Sequence, residues 1–173
     1  ISNLSFFIAA YLLYRLQQAN GAPPHIRREN QLVIALIALV GAGSTVFHTF
    51  ANVIGILADI LGIMLFVHTY LYLCLRRLLG WNRTKSAIGI ALLFATLMLA
   101  EQIPTAYSVN GSAAYFPCVA VLLGMWHATR ASHPPASRLY LYATVTLVVS
   151  LTFRSVDMAL CDAIPFGTHL MWH

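Results

Sequence analysis

Two pairs of polar residues are spaced four positions apart in a chain that is otherwise strongly apolar. His169 and His173 lie at its end, and Ser44 and His48 lie far upstream. On a helix, residues four apart share one face and lie about 6 Å apart along the axis, so two rings can converge on one ion. Three imidazoles with an open position for water are typical of a catalytic zinc site. We therefore predict that His48, His169 and His173 bind Zn²⁺, with hydrogen bonding between helices as the alternative.

Asp59 and Ser44 are the candidate catalytic residues beside this metal site. A continuous helix would place Asp59 about 16 Å from His48, but a turn near residues 52–55 would fold it back beside the ring. A carboxylate there can take a proton from water and pass it to a leaving group, while Ser44 can donate a hydrogen bond to an oxyanion. Asp59 as a paired structural acid, and Ser44 bonded to its own helix, are the simpler alternatives.

Arg154 and Asp157 form a second polar group, close in sequence to the two terminal histidines. Their spacing of three residues favours a local ion pair on one helix. Asp157 is also a candidate for supporting the metal ligands from outside the coordination sphere, with Arg154 beside it.

The composition indicates an integral membrane protein. Of the 173 residues, 60% are hydrophobic and only 9% are charged, whereas about a quarter of the residues of a soluble domain are charged. The net charge of +5 therefore indicates cytoplasmic loops rather than a nucleic-acid partner. The bilayer and a lipid substrate are the expected partners.

A membrane-spanning helix needs about 20 apolar residues, and the breaks in the apolar pattern predict an all-α bundle of seven transmembrane helices. We treat the whole chain, residues 1–173, as one domain and as a fragment whose first and last helices are truncated. The predicted helices cover residues 4–16, 32–50, 56–75, 86–103, 112–129 and 139–157, and a seventh begins near residue 167.

Basic residues orient this bundle. Nine of the ten Lys and Arg residues fall in or beside alternate loops, which predicts that those loops are cytoplasmic: Arg15, Arg27, Arg28, Arg76, Arg77, Arg83, Lys85, Arg130 and Arg138. The N-terminus is then outside and the C-terminus is cytoplasmic. The candidate metal ligands all fall near the extracytoplasmic, or lumenal, ends of their helices.

The motif "GSTVFH", an Asp 11 residues after its His, and the later "RSVDMALCDAIPFGTHLMWH" resemble the alkaline ceramidase family, which is related to the adiponectin and progestin-type receptors. This resemblance implies a seven-helix zinc amidase that hydrolyses ceramide to a sphingoid base and a fatty acid. It matches His48, His169 and His173 to the zinc ligands, Asp59 to the acid/base residue and Ser44 to the serine beside the zinc. It also implies a possible Ca²⁺ site formed by a segment preceding Ile1.

The chain departs from the family pattern at Gly62, where the family has a proline shortly after its catalytic Asp. Three other functions are alternatives to ceramide hydrolysis. A lipid receptor or sensor could use the same metal site with little hydrolysis. A haem-binding electron carrier would need histidines that face each other across the bundle, and an i, i+4 pair on one helix face argues against it. A transporter would need broken helices at the midplane, which the sequence pattern does not indicate.

Overall fold

The computed structural model describes residues 3–104, 107–160, 164 and 167–172, apart from the side chains of His169 and Leu170. The regular secondary structure of these residues is helical, with no strand among them, which confirms the predicted all-α class. The helices are α1 (Leu4–Ala19), α2 (Pro24–Phe50), α3 (Val53–Arg77), α4 (Arg83–Ala100), α5 (Phe116–Thr129), α6 (Pro134–Leu160) and the single turn α7 (His169–Trp172), with a 3-10 turn at Ser112–Tyr115 before α5.

Four of these helices, α2, α3, α4 and α6, are long and apolar enough to cross a membrane. Their surfaces agree with that environment, because Leu57, Leu61 and Leu65 form an exposed stripe along one face of α3. Helices α1 and α5 have 16 and 14 residues, which is shorter than the span of about 20 residues that a bilayer requires. The count of seven spanning helices and the direction of the chain through the membrane stay predictions.

Prolines begin two of the long helices, so both start earlier than predicted. Helix α2 begins at Pro24 rather than near residue 32, and α6 begins at Pro134 rather than near residue 139. Proline suits the first turn of a helix, because the N–H that it lacks would have no partner inside the helix there. Pro23 and Pro24 therefore lie at a helix start.

The chain forms two compact units, Ile1–Leu73 and Cys74–His173, and each is described by itself. In the first unit, α2 and α3 are antiparallel and joined by a turn at Ala51 and Asn52. Ala51 adopts a left-handed conformation with φ 44°, and the Asn52 side chain accepts a hydrogen bond of 2.8 Å from the N–H of Gly55. The predicted reversal is therefore present, and it is tighter and slightly earlier than residues 52–55.

Glycines bring α2 and α3 into backbone contact along the face that carries the candidate site. A Cβ on Gly43 would lie 2.5 Å from the carbonyl oxygen of Ala58, and a Cβ on Gly62 would lie 3.3 Å from the Cα of Val40. Helix α3 continues without a break through Gly62. Gly62, which replaces the proline of the family pattern, thus serves as a close-packing position against α2.

The second unit is organised around α5 and α6. Pro117 lies in the first turn of α5, and the 3-10 turn before it contains the buried Ser112 and Ala113. Ser137 near the start of α6 donates a hydrogen bond of 3.0 Å to the carbonyl of Trp126 on α5. The short α7 packs on the far end of α6, where the candidate residues Arg154 and Asp157 lie.

Candidate active site

The first unit brings Ser44, His48 and Asp59 together at one end of the α2–α3 pair. Ser44 and His48 follow each other on one face of α2, and the tight turn returns Asp59 to the same level on α3. The Asp59 carboxylate lies close enough to interact with both the His48 ring and the Ser44 side chain. Gly43 positions this contact directly, since the atom nearest to its missing side chain belongs to Ala58, the neighbour of Asp59.

The Ser44 hydroxyl differs from the other hydroxyls of the same helix segment. Thr45 and Thr49 donate hydrogen bonds of 2.7 and 2.8 Å to carbonyls four residues earlier in α2. Ser44 is buried, with 2% of its surface exposed, and it contacts Asn3, which precedes α1, and Asp59 on α3 instead. A hydroxyl that points between helices is available for chemistry, unlike one that is bonded to its own backbone.

Asn3, just before α1, is a member of this cluster that the sequence analysis missed. Its side chain lies 3.4 Å from the Ser44 hydroxyl. The Ser44 hydroxyl donates to the side-chain oxygen of Asn3, which fixes the orientation of the hydroxyl group. No periodicity links residue 3 to residue 44, so only the packing of α1 on α2 reveals this contact.

The chemistry of this cluster fits a metal site. His48 offers an imidazole nitrogen at an exposed position, with its ring 5.1 Å from that of Phe47. The Oδ1 atom of Asp59 is buried and has no hydrogen-bond partner in the described part of the chain. A buried carboxylate oxygen is costly unless it meets a proton donor or a cation. A cation held by His48, or a water molecule beside that cation, would satisfy it.

The side chains of the two other predicted ligands, His169 and His173, are not among those that the structure describes. His173 and the side chain of His169 lie outside the described residues, although the backbone of His169 begins α7. No group of three His, Cys, Asp or Glu side chains suited to a metal is found among the side chains that the structure does describe. The three-histidine site therefore stays a prediction, with His48 as its described member.

Asp157 fixes the segment that carries the terminal histidines. Its Oδ1 accepts a hydrogen bond of 2.5 Å from the N–H of Thr168, whose hydroxyl in turn donates to the carbonyl of Phe153 at 2.7 Å. Gly167 has φ 61°, and a Cβ there would lie 2.7 Å from the same carboxylate oxygen. The start of α7 is thus tied to α6 one residue before His169, which is a positioning role for Asp157.

Arg154 makes different contacts from those expected. In the described structure its guanidinium lies over the rings of Tyr115 and Trp172, at 5.5 and 5.2 Å from the ring centroids. The ion pair with Asp157 that the i, i+3 spacing favours stays a prediction, and the ring contacts were not predicted. The reason is geometric, since α7 folds onto α6 and places Trp172 beside the guanidinium, which the sequence spacing alone cannot indicate.

No known protein family, curated protein or solved structure shows detectable similarity to this chain. The resemblance to alkaline ceramidases therefore rests on the quoted motif residues alone.

Proposed function

We propose that this chain is a membrane-embedded zinc amidase that hydrolyses the amide bond of ceramide to a sphingoid base and a free fatty acid. The observation that supports it best is the convergence of Ser44, His48 and Asp59 from two helices at one end of the first unit. A hydroxyl, an imidazole and a carboxylate in one cluster are groups that can serve metal-assisted amide hydrolysis.

In this proposal His48, His169 and His173 hold the metal, since neutral imidazoles suit zinc. Zinc supplies Lewis acidity, which activates water and polarises a carbonyl group. The protein contributes the placement of the ligands. The tight turn at Ala51 fixes one end of α2 beside α3, and Asp157 holds the start of α7 through Thr168.

Asp59 and Ser44 carry out the proton transfer and the charge stabilisation. The Asp59 carboxylate accepts a proton from the attacking water and delivers it to the amide nitrogen, so that the sphingoid base leaves as a neutral amine. Ser44 donates a hydrogen bond to the oxygen that becomes negatively charged, because its hydroxyl is not bonded to its own helix. Asn3 orients that hydroxyl.

The membrane setting suits such a substrate. In the proposed seven-helix arrangement, with the N-terminus outside, the cluster lies near the extracytoplasmic ends of α2 and α3. The two hydrocarbon tails of a ceramide belong in the bilayer, and its amide lies near the interface. The exposed apolar faces of the helices leave room for lipid beside the cluster.

The test combines metal analysis with turnover. Purified protein is assayed for zinc content and for release of fatty acid from a fluorescent ceramide, with His48→Ala as the variant and His25→Ala, at an exposed position, as the matched control. We expect one zinc ion per chain, and turnover that is lost in His48→Ala and kept in His25→Ala. Zinc binding without turnover above that of His48→Ala would favour the receptor or sensor over the enzyme. Protein without zinc would contradict both.

A further inference from the structure

Arg154 lies at the meeting point of three elements in the second unit. Its guanidinium contacts Tyr115 from the 3-10 turn and Trp172 from α7, whose rings are 5.0 Å apart and meet edge to face. Two hydrogen bonds from neighbouring residues hold the backbone of Arg154 and Trp172 in place. Asn110 donates a hydrogen bond of 2.7 Å to the carbonyl of Arg154, and Ser150 on α6 donates to the carbonyl of Trp172.

The guanidinium still requires an acceptor. An arginine carries five N–H donors, and the aromatic rings stabilise its charge without accepting all of them. Its Nε is buried and has no hydrogen-bond partner in the described residues. Gly111, with φ 75°, allows the chain to approach closely, because a Cβ there would lie 3.1 Å from Nη2 of Arg154. The side chain is thus held in place while its Nε donor has no partner among the described residues.

The chemistry of the missing acceptor follows from the guanidinium and its surroundings. The planar fork of donors matches the paired oxygens of a carboxylate or a phosphate. Exposed apolar side chains flank it, with Phe116 next to Tyr115 and Met158 one turn after Arg154 on the same face of α6. An anion with an attached hydrocarbon chain satisfies both features, whereas a small inorganic anion satisfies only the first.

We propose that Arg154, Tyr115 and Trp172 form a binding site for the oxyanion headgroup of a lipid, either a carboxylate or a phosphate. The guanidinium binds the oxygens, the two rings fix the guanidinium, and the apolar side chains contact the first part of the hydrocarbon chain. This site does not depend on the proposed hydrolysis, and it belongs to the second unit alone.

Trp172 provides the readout. In a W81F/W126F background it is the only tryptophan of the chain, and its ring contacts the guanidinium directly. The purified protein in neutral detergent is titrated with oleate, with phosphatidylglycerol and with inorganic phosphate. Oleyl alcohol and phosphatidylcholine are the controls that lack a net negative charge. We expect a saturable change in Trp172 fluorescence with oleate or phosphatidylglycerol, and which of the two binds more tightly identifies the source of the oxyanion.

Variants then test the role of the guanidinium. We expect Arg154→Gln to weaken the apparent affinity at least about tenfold, since a charge-assisted pair is lost. Arg138→Gln, the same change at an exposed position of the same helix, should leave it unchanged. Equal affinity in Arg154→Gln and the unsubstituted protein would overturn the proposal. An equal response of the unsubstituted protein to oleyl alcohol and oleate would also overturn it, as would a response to inorganic phosphate alone. These two measurements do not need a variant, so they remain decisive if Arg154→Gln fails to fold.

Discussion

The two compact units hold their candidate residues in opposite ways. In the first, α2 and α3 approach because side chains are missing, at Gly43 and Gly62. In the second, α6 and α7 are joined by side chains that are present, through Asp157 and Arg154. A glycine contact leaves no side chain that can move aside, whereas a contact made by a polar side chain is lost when that side chain is removed. The first unit should therefore tolerate added volume poorly, and the second should respond to the loss of polar groups.

The largest effect is expected from Asp59→Asn, which alters the chemistry of the first unit but not its packing. The amide has nearly the same volume as the carboxylate but cannot take a proton from water. We expect ceramide turnover to fall by about 10²–10⁴-fold, the usual contribution of a general acid/base residue. Zinc content and thermal stability should stay close to those of the unsubstituted protein.

Glu101→Gln is the matched control for this prediction, because it neutralises an exposed acid at the end of α4. Its turnover should be unchanged. If Asp59→Asn hydrolyses ceramide as fast as Glu101→Gln does, then Asp59 is a structural acid, and the proton transfer assigned to it is wrong.

The next largest effect is on the free energy of unfolding. It is tested by comparing an alanine substitution at Gly43 with one at Gly124. The added Cβ of Gly43→Ala would lie 2.5 Å from the backbone oxygen of Ala58, while nothing lies within 4 Å of the Cβ position of Gly124 on α5. We expect Gly43→Ala to destabilise the protein by about 1–3 kcal/mol, because α3 must move away. Gly124→Ala should be neutral or slightly stabilising, since alanine favours the helix.

Thermal unfolding in detergent, followed by circular dichroism, measures both variants. The displacement should also separate Asp59 from Ser44, so Gly43→Ala should lose turnover even at temperatures where it remains folded. Equal melting temperatures for the two alanine variants would show that α2 and α3 do not rely on this contact.

Much of the fold could be predicted because hydropathy records which segments can lie in hydrocarbon. The reversal between α2 and α3 followed from length alone, since one helix over the whole apolar stretch would be about twice the bilayer thickness. The helix starts at Pro24 and Pro134 were not predicted, because hydropathy does not mark polar helical turns. The first turns of α2 and α6 are polar and contain proline, so the apolar pattern begins several residues after the helix does.

In the candidate site, the sequence could predict only the contacts that follow from residue spacing within one helix or across one turn. Ser44 and His48 share a face of α2 by their four-residue interval, and one turn brings Asp59 back beside them. Asn3 and the ring contacts of Arg154 depend on how separate helices pack. Side chains that meet across helices leave no period in the sequence, so these contacts could not be found before the fold was known.

A smaller effect tests the hydrogen bonds of the second unit. Asp157→Ala removes the acceptor for the N–H of Thr168 and should cost about 1–3 kcal/mol locally, since a half-buried N–H loses its partner. We expect faster hydrogen exchange at residues 167–172 and weaker zinc binding. Thr152→Val, which removes a hydroxyl bonded only within α6 at an exposed position, should change neither. Unchanged exchange in Asp157→Ala would show that α7 is held by its other contacts.

The smallest effect expected is that of Asn3→Ala, which removes a neighbour of Ser44 without touching Asp59 or His48. A neutral hydrogen bond contributes about 1 kcal/mol, so the turnover number should fall about fivefold. KM should stay unchanged, because Asn3 orients a group that acts in the transition state and does not bind the lipid. Asn20→Ala, at the other end of α1, should leave both constants unchanged.

A double-mutant cycle decides whether Asn3 acts through Ser44. If it does, Asn3→Ala should have no further effect on turnover in a protein that already carries Ser44→Ala, because the hydroxyl that it orients is gone. Additive losses in the double variant would mean that Asn3 supports the packing of α1 instead. The polar cluster of the first unit would then consist of α2 and α3 residues alone, and α1 would contribute only volume, through Phe6 and Phe7 against Gly41.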